Sequence, residues 1–109
     1  MNHGTVGVAV IGAGVISEQY LDNLTAFPDL TVHVVADLNP KVAKTRAEQY
    51  GIELHGSPDV ALQHPDVEII INLTIPAAHA EVDLAAIRAG KHVFSEKPMA
   101  LDAQVGKRS

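Results

Sequence analysis

The stretch VAVIGAGVIS, residues 8–17, changes character at Gly12. Before it lies a β-branched run, TVGVAVIG over residues 5–12, too short for a good helix and too apolar for an exposed strand. After it the pattern turns helical, from Val15 to about Ala26, and stops near Pro28, which cannot continue a helix. The turn between them fits G-x-G-x-x-G/A with Ser17 in the third place. Each small residue there has its own physical reason. Gly12 allows a tight turn, Gly14 lets the backbone approach a pyrophosphate with no Cβ in the way, and a small third residue lets helix and strand pack closely. Backbone N–H groups at the helix start, those of Val15 and Ile16, then face the phosphates with the help of the helix dipole. Ser17 adds one hydroxyl to the packing position.

The same alternation of strand and helix continues outward. TVHVVAD (residues 31–37), VEIIINLT (67–74) and HVFS (92–95) repeat the near-continuous Val/Ile character of strands covered on both faces, and IELH (52–55) is a weaker strand. A second helix opens with Asn39 as N-cap and Pro40 at its first position, and ends at Gly51. Ser57-Pro58 repeats that start for a short turn reaching His64-Pro65, and HAEVDLAAIRA (79–89) makes a further helix closed by Gly90. The order is β-α-β-α-β-α-β-α-β, with connections short enough for right-handed crossovers. An α/β open, doubly wound parallel sheet in three α/β/α layers, a Rossmann-like dinucleotide-binding domain over residues 1–109, is the fold these segments predict, with strand order 3-2-1-4-5 as such patterns usually make.

Composition agrees. At 109 residues the chain has the length of one domain, and with 47% hydrophobic but only 4% aromatic residues its core must be built from Val, Ile, Leu and Ala. A net charge of −5 argues against a nucleic-acid or anionic-membrane partner, since no basic face is available to neutralise phosphates. The chain has no cysteine, which excludes disulfides and thiol chemistry and fits a reducing compartment. No apolar run approaches the roughly 20 residues a membrane span needs. No basic segment precedes the first apolar stretch, so a secretory signal is not expected and the location reads as cytoplasmic.

The glycine turn has the context its chemistry requires. Asp37 closes the second strand, where a carboxylate can accept hydrogen bonds from both ribose hydroxyls of an adenosine. It would repel a 2′-phosphate, and no arginine follows within a few residues to offset that, so NAD is favoured over NADP. In an open sheet the ligand lies beyond the carboxyl ends of the strands where the order reverses, here between the first and fourth strands. Thr74 and Pro76 should therefore face the cofactor, with His79 opening the helix behind them as either a ligand or an ordinary first-turn residue. The remaining histidines show no i, i+4 or H-E-x-x-H spacing, and no metal site is expected. At the end of the fifth strand stands Glu96-Lys97-Pro98. An acid and an amine at a strand end most often make a solvated turn. Beside a dinucleotide crevice they can instead hydrogen-bond the nicotinamide ribose and move a proton to or from a substrate hydroxyl.

With VAVIGAGVISEQYLDNL, VVADLNP and HAEVDLAAIRAGKHVFSEKPMALD in place, the chain from about Val6 onward resembles the N-terminal domain of the Gfo/Idh/MocA oxidoreductases, most specifically in AGKHVFSEKP, residues 89–98. The resemblance implies an NAD(P)-binding Rossmann domain and hydride transfer between nicotinamide and a sugar or polyol. It implies that Gly12, Gly14 and Ile16 contact the pyrophosphate and Asp37 the adenosine ribose, and that Thr74 and His79 are the family's loop threonine and histidine. By the same resemblance Glu96 holds the nicotinamide side and Lys97 reaches the substrate as the catalytic residue. The Lys97–Pro98 bond, typically cis in relatives, fixes where that lysine points. Thr74-Ile75-Pro76 departs from the family's Thr-Pro-Asn.

Members of the family carry a second domain for substrate and dimerisation. A 109-residue chain is thus expected to bind cofactor without completing the catalytic site, its last strand leaving an edge open to another copy. Two other readings remain open at this stage, a regulatory module that binds NAD(H) without chemistry and a structural Rossmann remnant. The substrate is not legible.

Overall fold

The computed structural model describes residues 5–95, and Glu96, Lys97 and Pro98, with the expected cis bond, lie outside them. Among the described residues nine elements alternate: β1 (Val6–Ile11), α1 (Val15–Ala26), β2 (Leu30–Ala36), α2 (Pro40–Tyr50), β3 (Leu54–Gly56), α3 (Pro58–Leu62), β4 (Ile69–Asn72), α4 (Pro76–Arg88) and β5 (His92–Ser95). The strands form one parallel sheet in the order β3-β2-β1-β4-β5. No helix among the described residues is long and apolar enough to cross a membrane.

The unbroken apolar character of β1 follows from its central place. Val8 to Ile11 are at most 1% exposed, and alternate side chains enter two separate cores. Val8 and Val10 pack with Leu21 of α1, Ala47 of α2, Val35 and Ile71 on one face of the sheet. Ala9 and Ile11 pack with Val34, Ile70, Ala61 of α3, and Val82 and Ala86 of α4 on the other. On this second side α3 and α4 meet the sheet through Ala61, Val82 and Ala86.

Several boundaries differ from the sequence reading by one to three residues, and two of them have a clear cause. The third strand is Leu54–Gly56 rather than residues 52–55. Ile52 is taken up by the end of α2, where Gly51 adopts φ +67 and the Gly51 and Ile52 N–H groups donate to the Glu48 and Ala47 carbonyls. This is a Schellman closure, and Ile52, 9% exposed, is the apolar residue that packs back on its own helix. The fourth helix starts at Pro76 rather than His79. Proline at the first helical position has φ already set and lacks only an N–H that would have no partner there.

Candidate dinucleotide crevice

β1 and β4 stay paired as far as Ile11 and Asn72, and the loops that follow them line a cavity of about 410 Å3. Its walls are Gly12, Gly14, Asp37, Leu38, Asn39, Leu73, Thr74 and Ile75. Gly12 has φ +110, and a Cβ there would stand 2.7 Å from the Leu73 backbone. The turn is therefore glycine by necessity of the chain itself. Gly14 is different: its φ is −75, and a Cβ would meet nothing within 4 Å. No contact among the described residues demands glycine at position 14, so the open space is what a ligand backed against the turn would use.

Polar groups around the turn are engaged in an ordered way. One Asp37 carboxylate oxygen, Oδ1, accepts from the Ala13 N–H at 2.9 Å, and Oδ2 accepts from the Asn39 N–H at 2.9 Å. Each oxygen keeps lone-pair capacity for a further donor, because an ionised carboxylate has about four acceptor sites. Ser17, fully buried, donates its hydroxyl to the Gly14 carbonyl at 2.6 Å. The hydroxyl in the third motif position thus has a partner and tightens the turn. Ile16 packs its side chain against the core on the α1 side, which leaves its backbone as the part able to meet a phosphate. Val15 is the first residue of α1.

On the β4 side, Asn72 is fully buried and uses its whole hydrogen-bonding capacity. Its Oδ1 accepts from the Thr74 N–H at 3.1 Å and the Thr74 hydroxyl at 2.6 Å, while its Nδ2 donates to the His79 carbonyl at 2.9 Å and Asp83 Oδ1 at 2.8 Å. Ser95, the register partner of Asn72 on β5, donates its hydroxyl to the same Asp83 oxygen at 2.6 Å. This cluster ties the loop after β4, the first turns of α4 and the last residue of β5 into one unit. Thr74 lines the cavity with its hydroxyl proton directed at Asn72, so the oxygen is available as an acceptor. Pro76 sits at the start of α4, and it is Ile75, 61% exposed, that forms the adjoining wall.

His79 lies in the first turn of α4, not at its opening residue. Its Nδ1 is 3.4 Å from the Thr74 carbonyl, while Nε2 is buried with no hydrogen-bond partner among the described residues. With Nδ1–H donating to Thr74, Nε2 is left as a free acceptor.

Four participants escaped the sequence reading. Leu38 and Ile75 are exposed apolar walls, and their signal was an apolar residue directly after a motif residue in a loop. Asn72 carried a signal too, a lone amide within an otherwise apolar strand. Asp83 carried none, since a carboxylate in the middle of a helix is ordinarily solvated.

Comparisons with known proteins agree with this geometry. The sequence model of the Gfo/Idh/MocA oxidoreductase family, NAD-binding Rossmann fold, matches residues 6–109. An inositol 2-dehydrogenase/D-chiro-inositol 3-dehydrogenase of Lactiplantibacillus plantarum is 34% identical over 100 residues, covering 89% of this chain and 29% of that protein. Among solved structures, GenD2 from gentamicin A biosynthesis, in complex with NAD, superposes with a TM-score of 0.81 at 30% identity, over 87% of this chain and 27% of that one. A 3-ketoreductase from Actinomadura kijaniata, in complex with TDP-benzene and NADP, gives 0.80 at 33% identity, over 87% and 30%. The chain spans about 30% of the length of the relatives it matches.

Proposed function

Because the chain belongs to the Gfo/Idh/MocA oxidoreductase family with an NAD-binding Rossmann fold, we propose that it is the cofactor-binding part of a dehydrogenase that moves a hydride between nicotinamide and a sugar or polyol. Gly12, Gly14, Val15 and Ile16 would hold the pyrophosphate through backbone N–H groups, and Asp37 the adenosine ribose. Thr74, Pro76 and His79 would border the nicotinamide side, together with Glu96 and Pro98. When bound, the nicotinamide ring supplies the hydride carrier that no amino-acid side chain can provide. Lys97 would take or return the proton at the substrate hydroxyl. The open space beside Gly14, which no described residue fills, is the observation that carries this reading.

The cofactor is read as NAD rather than NADP. Asp37 is anchored by the Ala13 and Asn39 N–H groups, so it cannot easily swing away from an incoming 2′-phosphate. Fluorescence titration of the chain with NADH and NADPH tests this. NADH should bind more tightly, and Asp37→Ser should narrow or invert the preference. Failure to bind either cofactor at millimolar concentration overturns the proposal. In a protein that joins this domain to a substrate domain, Lys97→Met should leave NADH affinity unchanged while lowering hydride transfer to a polyol about 100-fold or more.

A further inference from the structure

We infer that Arg46, on α2 and outside the crevice, is a positioning residue that aims the N–H groups of the glycine turn at the cofactor. The inference rests on the dinucleotide-binding reading above. Arg46 reaches back across the sequence to the turn. Its Nε and Nη2 donate to the Ala13 carbonyl, each at 3.4 Å, and Nη2 also donates to the Gly14 carbonyl at 3.3 Å. The guanidinium is itself held in place, with Nη1 on Gln49 Oε1 at 2.8 Å and paired with Glu18 Oε2 at 2.9 Å. Gln49 closes the arrangement by donating to the same Glu18 oxygen at 3.0 Å. At 16% side-chain exposure, Arg46 is the more enclosed partner of its ion pair.

The peptide plane turns this contact into a constraint on the ligand site. In a trans peptide the carbonyl of one residue and the N–H of the next point in opposite directions. Arg46 draws the Ala13 and Gly14 carbonyls to one side, so the Gly14 and Val15 N–H groups must point to the other. Arg46 is not among the residues lining the crevice, whereas Gly14 is. The Ala13 residue is held from its other end as well, its N–H bonded to Asp37. Asp37 and Arg46 thus grip one residue of the turn between them, and Ser17 adds a third hold on the Gly14 carbonyl. The first N–H groups of a helix lack partners within it, and here they are oriented before any ligand arrives.

Arg46→Met keeps the aliphatic length and removes the fork. It should weaken ADP-ribose and NADH about tenfold, the worth of a charge-assisted hydrogen bond. Adenosine, which has no pyrophosphate, should bind as before by ligand-observed NMR. Arg46→Lys keeps the charge without the planar fork and should lose affinity for ADP-ribose in the same way, which covers the event that the methionine variant does not fold. The double variant Glu18→Gln/Arg46→Met removes both charges and should remain weak. Equal losses for adenosine and ADP-ribose would show a merely structural role, and recovery in the double variant would show a long-range charge effect; either overturns the inference. Wild-type chain that binds no NADH instead defeats the cofactor reading beneath it.

Discussion

Gly12 and Gly14 occupy neighbouring places in one motif for opposite reasons. At Gly12 the backbone sits in the left-handed half of conformational space and Leu73 blocks any Cβ, so Gly12→Ala combines strain with a backbone clash. It should destabilise the fold by about 3 kcal/mol. At Gly14 the backbone is extended and the space is free, and serine is a preferred residue at a helix N-cap. Gly14→Ser should therefore leave stability within about 1 kcal/mol, while NADH affinity falls. Denaturant unfolding and NADH titration of the two variants separate the roles. A Gly14→Ser protein that binds NADH like the parent would show that the free space is not where the cofactor lies. The motif was legible at both positions, but only the backbone angle and the distance to Leu73 distinguish a glycine the chain requires from one a ligand requires.

At the scale of elements, α1 and α2 are joined beside the glycine turn by polar contacts as well as by their shared core. Tyr50, the last residue of α2, donates its hydroxyl to Asp22 of α1 at 2.6 Å. That hydrogen bond to Asp22 comes first among the causes that push the Tyr50 phenol from 10.0 up to about 12, followed by desolvation and the negative charges of Asp22 and Glu18. The folded pKa exceeds the unfolded one, so the contribution is fully present below pH 10 and is lost as pH rises through 12. Tyr50→Phe should accordingly show a shallower fall in stability than the parent across that alkaline window, measured by urea unfolding at stepped pH. Parallel slopes for the two proteins would dissociate Tyr50 from the effect. The helix ends were partly readable: Asn39-Pro40 and Gly51 mark α2, and the Asn39 side chain accepts from the Lys41 N–H as a cap should. What the pattern did not display was competition for Ile52 between the helix closure and the following strand.

For the whole molecule, burial falls from the middle of the sheet to its edges. β1 lies at the centre between β2 and β4, with Val8 to Ile11 sealed from solvent. The outer strands are short and open, with Leu54 of β3 38% exposed and Phe94 of β5 49% exposed. Phe94 has one aromatic neighbour, Tyr20 of α1, at a centroid distance of 6.4 Å. Native-state hydrogen exchange should rank the amides in that order, slowest in β1 and β4 and fastest in β3 and β5. Protection of β5 equal to that of β1 would mean that the β5 edge is covered in solution.

Element types, the parallel sheet and the cofactor motif could all be read from the order of residues alone. Those properties are written in short-range patterns: β-branched runs, a glycine turn between strand and helix, and cap residues beside proline. The family assignment rests on the same local strings, and GKHVFS carries its strand as expected. Which polar side chains act together was set by the packing of the elements. Asn72, Asp83 and Ser95 come from β4, α4 and β5, and Arg46 meets Ala13 across the α1–α2 layer. A charged or amide side chain looks the same in sequence whether it is solvated or bonded. Its partner is set by crossover geometry, which no local pattern encodes.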